Sequence, residues 1–134
     1  HEFVYDQNFS DVETPVSFVL SEKRGVCQDF AHLMLAVLRC KGIACRYVSG
    51  YLETDPSPGE PKLMGADASH AWVSVFLPGT GWIDFDPTNG LLPSERHVTL
   101  AWGRDYGDVV PLKGLMTGGS QHALEVSVDV TALE

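Results

Sequence analysis

The sequence has few basic residues: nine Lys and Arg stand against 18 Asp and Glu, which leaves a formal net charge of −9 at pH 7. Proteins that follow the phosphates of a nucleic acid need clustered Lys and Arg, so this composition argues against that class of partner. Long apolar runs are missing too, and no stretch approaches the roughly 20 residues that a membrane-spanning helix needs. We therefore expect neither a nucleic acid nor a membrane among its partners.

Cysteine is also scarce, since Cys27, Cys40 and Cys45 are the only three in the chain. Three cysteines cannot all pair, and the dense disulfide framework of small secreted domains is missing, so a reduced, cytoplasmic location is the expectation. The N-terminus shows no basic region followed by an apolar run, so no signal peptide is expected. Because the chain lacks an initiator Met, we expect residues 1–134 to be one domain of a longer protein.

The strongest helix signal covers residues 27–41. Its apolar residues recur at the spacing of one helical face, and Gly42 follows as a natural C-cap. Residues 14–23 predict a shorter helix, with Thr14 as the N-cap and Pro15 as the first helical residue.

Strand signals follow the long helix. Residues 43–51, 70–77 and 82–86 are predicted strands, and residues 78–81 form a hairpin turn between the last two. Near the C-terminus, residues 124–131 alternate between apolar and polar, which predicts a half-buried strand. Helical segments followed by hairpin-linked strands are typical of an α+β fold with a mostly antiparallel sheet.

Cys27 is the candidate nucleophile because it stands at the predicted start of the long helix. A helix N-terminus presents unpaired N–H groups and partial positive charge, which stabilise a thiolate and can also hold an oxyanion. Gly25 lets the backbone approach closely at this point. Asp29 acts in the opposite direction, since its negative charge lies in the same first turn and opposes a thiolate.

A thiolate nucleophile is usually paired with an imidazole that a third group orients. His70 opens a predicted strand, and the hairpin return brings both Asp84 and Asp86 alongside it. A turn centred near Gly79 places position 87 or 88 opposite His70, and period-two alternation puts both aspartates on one face. Spacing therefore favours Asp86 over Asp84 only slightly.

The other histidines and cysteines have less to indicate a role. His32 lies five residues after Cys27, about 140° around the helix, so we expect it to point away as a partly exposed residue. His1, His97 and His122 show no evident partner in the sequence. Cys40 and Cys45 are expected to be small buried hydrophobes. A zinc or redox pair is the alternative, but no second ligand pair with zinc-type spacing follows.

Four blocks of the sequence, taken in order, resemble the bacterial transglutaminase-like proteins. The blocks are RGVCQDFAHL at 24–33, GIACRYVSGY at 42–51, SHAWV at 69–73 and GWIDFDPTNG at 81–90. The later GRDY at 103–106 resembles the segment that follows the catalytic core in these proteins. Any one block alone is weak, but four in the right order over roughly residues 14–130 are specific.

The resemblance implies a papain-like fold, with the nucleophile at the N-terminus of a buried central helix packed on the sheet. It implies that Cys27 is the nucleophile, His70 the general base and Asp86 the orienting carboxylate, in one catalytic domain spanning 1–134. The implied chemistry is cysteine-dependent acyl transfer or amide hydrolysis through a thioester. The implied substrate is a peptide or protein amide, or a small amide, and neither a cofactor nor a metal is expected.

Three further residues are candidates for the surroundings of the site. Gln28 could donate to the oxyanion or simply lie on the helix surface. Trp72 could line an acyl pocket or form a cross-strand aromatic pair with Trp82. Tyr106 could border the site, although a turn with a solvated Arg104–Asp105 ion pair explains that segment equally well. A catalytically retired binding or scaffold module is the alternative to an enzyme, and the oligomeric state stays open.

Overall fold

The computed structural model describes residues 2–55, 59, 67–111, 113–114, 117–118 and 126–132. Within these ranges the strands and helices are β1 (Val4–Tyr5), α1 (Val16–Glu22), β2 (Arg24–Gly25), α2 (Cys27–Cys40), β3 (Cys45–Leu52), β4 (Ala68–Leu77), β5 (Gly81–Phe85) and β6 (His97–Gly103). A 3-10 helix, Tyr106–Asp108, follows β6. Strands β3 to β6 form an antiparallel sheet in the order β5-β4-β3-β6, which confirms the predicted α+β architecture.

The hydrophobic core lies between α2 and the sheet. Its buried members are contributed by α2, β3, β4 and the segment after the 3-10 helix: Ala31, Leu35, Tyr47, Ala71, Val73, Val75 and Val109. Helix α2 begins at Cys27 as predicted and ends at Cys40, with Lys41 as its C-cap. Its N-terminal half is largely buried, whereas Val37 on the later turns is exposed. In the described part of the chain, neither helix is long and apolar enough to span a membrane.

Helix α1 starts one residue later than predicted, at Val16 and not at Pro15. Pro15 occupies the N-cap position in an extended conformation (φ −65°, ψ 138°), and the helix begins at Val16. The Thr14 hydroxyl accepts from the backbone N–H of Asp11 and donates to the Asp11 carboxylate instead. The prediction of Thr14 as the N-cap was wrong because its side chain closes the preceding turn.

The strand boundaries differ from the predictions by one or two residues. Strand β3 begins at Cys45 rather than at Ile43, because the Ile43 N–H closes the end of α2 by donating to the Leu38 carbonyl. Strand β5 ends at Phe85, and Asp86 leaves the β4–β5 ladder to bridge with Leu91. The chain therefore turns sharply at Asp86, at the edge of the sheet.

Strand β6 was not predicted from the sequence. It lies at the sheet edge beside β3, with a register shift at Ser49/Gly50. Val98, Leu100 and Trp102 alternate with smaller residues along β6, but all three are exposed, so the alternation does not mark a face buried in the core. For the predicted strand at 124–131, positions 124 and 125 lie outside the described residues. Within 126–132, only Val128 is buried and bridged, and its carbonyl accepts from the Asp67 N–H at 3.1 Å.

Candidate active site

The start of α2 is held by a buried carboxylate. Asp29 Oδ2 accepts from the backbone N–H of Val26 at 2.8 Å and also from the Ser10 hydroxyl. A Cβ added at Gly25 would lie 2.7 Å from the same Asp29 oxygen, so only glycine allows this close approach. Asp29 thus caps the helix whose first residue is Cys27, a role that its charge alone did not suggest.

His70 joins the nucleophile candidate to a buried carboxylate. Its Nε2 lies 2.7 Å from Asp86 Oδ2, and the two residues are 8% and 1% exposed. The Cys27 side chain hydrogen-bonds to the same His70 side chain. Burial lowers the pKa of His70, but the hydrogen bonds to Asp86 and Cys27 outweigh burial and raise that pKa to about 9.

Asp86 is surrounded by hydrogen-bond donors. Its Oδ1 accepts from the backbone N–H groups of Thr88 (2.9 Å) and Asn89 (3.1 Å). Its Oδ2 accepts from Asn89 Nδ2 (2.8 Å) and faces the Nε2 atoms of His70 and His97. Burial raises the pKa of Asp86, but the hydrogen bonds from His70, Asn89 and His97 outweigh burial and hold that pKa well below its ordinary value. The carboxylate is therefore ionised throughout the neutral range.

His97 does have a partner, so the expectation from the sequence was wrong. Its Nε2 lies 3.1 Å from Asp86 Oδ2, and its side chain is only 4% exposed. It reaches Asp86 from the first residue of β6, and its ring stands perpendicular to Trp72 with centroids 5.3 Å apart. The contact was missed because the strand that carries His97 was not recognised, although Val98, Leu100 and Trp102 alternate immediately after it. The remaining two, His1 and His122, lie outside the described residues.

Asn89 was also missed, although a local signal exists for it. An aspartate followed by Pro-Thr-Asn is a natural Asx turn, in which the carboxylate accepts from backbone N–H groups two and three residues on. Asp86 makes these contacts with Thr88 and Asn89, and the Asn89 side chain returns to the same carboxylate. The turn therefore brings a side-chain donor to Asp86 from only three residues away.

The two aspartates of the hairpin have different partners. The observed Val73–Phe85 pairing extrapolates to position 88 opposite His70, as the sequence indicated. The ladder stops at Phe85, however, and Asp86 turns inward to His70 while Asp84 accepts from Trp72 Nε1 at 3.0 Å. The structure thus brings Asp86, and not Asp84, to the imidazole.

Of the aromatic candidates, Trp72 lies close to the His70–Asp86 pair. It is fully buried, and its ring centroid is 6.1 Å from that of His70. The cross-strand aromatic partner of Trp82 is Phe76, at 5.5 Å, and not Trp72. Trp72 therefore lies in the buried interior beside His70 and His97, whereas Trp82 is exposed on the sheet.

Gln28 lies on α2 and Tyr106 lies near that helix, rather than near Asp86. The Tyr106 ring meets Tyr47 edge-on at 6.3 Å, and its backbone N–H donates to His32 Nε2 at 3.2 Å. His32 is half-buried, which agrees with the expectation of a partly exposed residue, and its contact with Tyr106 holds the 3-10 helix. Gln28 is half-buried on the first turn of α2. Arg104 forms the solvated ion pair with Asp105 that the sequence allowed.

The metal-binding alternative finds no support at Cys40 and Cys45. Cys40 is exposed, so the expectation that it is buried was wrong, and half-buried Cys45 has a sulfur that is a weak donor to the Leu35 carbonyl at 3.9 Å. In the described part of the chain, the one group of three potential metal ligands is His70, Asp86 and His97, whose ligand atoms lie within 4.8 Å of one another. Both imidazoles contact a single carboxylate oxygen, as expected of donors to a shared acceptor.

A cavity of about 460 Å³ lies beside the turn that follows Asp86. Phe3, Tyr5 and Phe30 line one side of it, and residues 87–90 of the Asp86 turn line the other. Tyr5 pairs with Gly25 in the β1–β2 ladder, two residues before Cys27. Burial and then the Cys27 charge raise the pKa of Tyr5. The cavity is large enough for one side chain of a substrate.

The family is shown by comparison with known sequences. The family model described as the transglutaminase-like superfamily matches residues 1–87, a span that includes Cys27, His70 and Asp86. The chain belongs to this superfamily. The matched span ends just after Asp86, so β6 and His97 lie beyond it.

Relatives in this superfamily include proteins of known and unknown activity. An uncharacterized protein of Mycobacterium tuberculosis is 45% identical over 99% of the chain, which covers 44% of that protein. A protein-glutamine gamma-glutamyltransferase of Pseudomonas aeruginosa is 36% identical over 76% of the chain and 16% of its own length. The chain therefore spans less than half of the relatives that it matches.

The fold is shared with a solved structure. A crystal structure of a candidate cysteine protease from Cytophaga hutchinsonii superimposes with a TM-score of 0.66 at 31% identity. The match covers 81% of this chain and 34% of that one. Together with the family match, this likeness establishes a transglutaminase-like, papain-like fold of a cysteine-enzyme family.

Proposed function

We propose that the chain is a cysteine-dependent acyl-transfer enzyme in which Cys27 is the nucleophile, His70 the general base and Asp86 the orienting carboxylate. One observation carries the proposal. His70 Nε2 lies 2.7 Å from Asp86 Oδ2, and the His70 side chain also hydrogen-bonds with Cys27, the first residue of α2. Nucleophile, base and orienting group thus stand in a single chain of contacts.

In the first half-reaction, His70 takes the thiol proton and Asp86 stabilises the resulting imidazolium. The Cys27 thiolate attacks the carbonyl carbon of an amide, and the backbone N–H of Cys27 donates to the oxyanion. The C–N bond then breaks, the imidazolium returns its proton to the leaving nitrogen, and a thioester joins the acyl group to Cys27. The products of this half are the acyl-enzyme and ammonia or an amine.

In the second half-reaction, a nucleophile attacks the thioester and His70 accepts its proton. Water gives hydrolysis, and a primary amine gives a new amide, after which the Cys27 thiol is restored. Relatives described as a gamma-glutamyltransferase and as a candidate cysteine protease are consistent with either acceptor. We propose a peptide or protein amide as substrate, with a side chain seated in the cavity beside Tyr5 and Asn89.

The location that we propose is a reducing compartment, the cytoplasm. Cys27, Cys40 and Cys45 are all free thiols, and a thiolate nucleophile keeps its activity only while it is reduced. A redox titration of purified protein, read by turnover, tests whether activity survives in an oxidising buffer.

The test of this function is the rate of Cys27 alkylation by iodoacetamide as a function of pH. Exposed Cys40 and half-buried Cys45 are internal controls within the same molecule, and peptide mapping separates the three labels. We expect fast labelling of Cys27 at pH 6, where an ordinary thiol reacts slowly, and loss of this advantage in His70→Ala. Labelling of Cys27 no faster than Cys40 would favour a retired binding module instead.

A second experiment separates hydrolysis from transfer. Glutamine-containing peptides are incubated with a labelled primary amine, and mass spectrometry distinguishes the hydrolysed product from the amine adduct. Cys27→Ala is the matched control and should form neither product. Full turnover in that variant would rule out the thioester route.

A further inference from the structure

We propose that His97 is a positioning residue of this site, which donates from Nε2 to Asp86 Oδ2 and so sets the orientation in which that carboxylate meets His70. This inference rests on the proposed function for its catalytic meaning. The contact itself is geometric: the two atoms lie 3.1 Å apart, and the His97 side chain is almost fully buried. His97 lies outside the four sequence blocks and outside the span that the superfamily model matches, whereas Asp86 lies inside both.

The direction of the hydrogen bond between His97 and Asp86 follows from the contact at the other ring nitrogen of His97. The backbone N–H of Ser94 donates to His97 Nδ1 at 3.3 Å, so Nδ1 is the acceptor nitrogen. In a neutral imidazole the proton then resides on Nε2, which faces Asp86. A metal ion can bind Nε2 only if Nε2 loses its proton. Because Nδ1 is already unprotonated, the ring would then have to be an imidazolate. The Ser94 contact therefore favours a hydrogen-bond donor over a metal ligand.

The other donors explain why His97 matters to the orientation of Asp86. Thr88 and Asn89 belong to the same turn as Asp86, so they move with it and cannot fix it relative to the sheet. Among the donors that the structure describes, only His70 and His97 come from other elements, β4 and β6. His97 thus ties the carboxylate to a fixed point that is independent of the residue it orients.

The position of His97 is itself fixed by packing. Its backbone pairs with Leu52 in the β3–β6 ladder, and its ring stands perpendicular to buried Trp72. Trp72 in turn is held through its indole N–H by Asp84. This arrangement links the sheet edge to Asp86 through Trp72 and His97. Supporting contacts of this kind can hold the Asp86 carboxylate in one orientation.

Charged groups other than Asp86 also lie near His97. A cavity of about 430 Å³ beside it is lined by Glu53, Asp55 and Arg96, among others. Arg96 lies 2.7 Å from an Asp55 oxygen and 3.8 Å from a Glu53 oxygen, and these side chains are accessible to solvent. On the inner side, the His70 and His97 rings are 5.9 Å apart. Solvent screens the outer charges, so buried Asp86 dominates the field at both histidines.

The test compares two amides of different length at position 97. The Nε2 of glutamine can occupy the place of the imidazole Nε2, whereas the shorter amide of asparagine cannot reach Asp86. NMR titration of the His70 ring protons gives its pKa in each variant. We expect His97→Asn to lower the His70 pKa by about one unit and to slow Cys27 alkylation at pH 8.5 about threefold, because a loosely held carboxylate stabilises the imidazolium less well and fewer molecules then carry it at that pH. His97→Gln should restore most of both values.

His32→Gln is the control for altering a half-buried histidine elsewhere, and it should leave the His70 pKa unchanged. A wild-type His70 pKa in His97→Asn would overturn the proposal, and so would equal losses in the Asn and Gln variants, since those indicate packing alone. The NMR readout is independent of Cys27 chemistry. An unreactive Cys27 in the wild type would therefore refute the proposed function while the titration still decides the role of His97.

Discussion

Trp72 Nε1 donates a hydrogen bond to Asp84 Oδ2 at 3.0 Å, and this contact separates the roles of two aspartates that stand two residues apart. Alternation along β5 gives Asp84 and Asp86 the same face, so a regular strand would offer both to the same neighbours. The strand ends between them, and Asp86 turns to His70 while Asp84 stays with the indole. The roles therefore depend on where β5 stops.

This separation predicts opposite results for two matched substitutions. Asp86→Asn should lower the turnover of an amide substrate at least 100-fold, because an amide cannot stabilise the His70 imidazolium. Asp84→Asn should keep turnover within a few fold and lower the thermal midpoint, since its partner is a structural indole. Steady-state kinetics and thermal unfolding of both variants check this. Equal losses of turnover would contradict the assignment of Asp86.

The titrations of His70 and Asp86 predict how stability depends on pH. The His70 pKa rises from its ordinary 6.5 to about 9 in the folded protein, so its contribution is complete below pH 6.5 and is lost as pH rises through about 9. The Asp86 pKa is depressed, so its contribution is present above its ordinary 3.8 and is lost at lower pH. Stability should therefore be highest between about pH 4 and pH 6.5.

Urea unfolding across this pH range measures the effect. Between pH 6.5 and 9 we expect a loss on the order of 3 kcal/mol in the free energy of unfolding. His70→Asn, which cannot titrate, is the control and should flatten this part of the curve. Parallel curves for the two proteins would show that His70 gains no charge stabilisation from folding.

At Gly50 on β3, we expect the addition of one methyl group to lower the stability of the fold severely. A Cβ at this position would lie 2.5 Å from Trp72 Cη2 and would also collide with the Val98 carbonyl oxygen. Gly50→Ala should therefore lower the free energy of unfolding by roughly 2–3 kcal/mol, because both neighbours are packed in the sheet. Gly114→Ala is the matched control, since a Cβ there meets no atom of the described residues within 4 Å. Urea midpoints that fall equally for both would exclude the clash.

The cap of α2 predicts that a substitution far from this helix in sequence lowers the free energy of unfolding. The Ser10 hydroxyl and the Val26 N–H both donate to Asp29 Oδ2. Ser10→Ala should lower the free energy of unfolding by about 1 kcal/mol, and Asp29→Asn by about 1–2 kcal/mol, through the lost cap and the lost charge at the helix N-terminus. Ser21→Ala, at an exposed serine of α1, should stay within about 0.5 kcal/mol in the same urea assay.

Much of the fold could be predicted because its signals are local. The apolar spacing of 27–41 predicted α2, and the alternation and turn residues of 70–86 predicted the β4–β5 hairpin, both within two residues. Strand β6 was missed, although Val98, Leu100 and Trp102 alternate along it. These side chains are exposed at the sheet edge instead of buried in the core, and the partner strand β3 is distant in the chain.

For the candidate site, the sequence by itself determined that Cys27 opens a helix and that His70 and two aspartates lie along one hairpin. These are consequences of periodicity and turn chemistry, which act over a few residues. Tertiary structure decided that Asp86 and not Asp84 meets His70, and that His97 joins them. Both outcomes depend on the end of β5 and the docking of β6 on β3, which are fixed by contacts between segments far apart in the chain and so leave no local pattern to read.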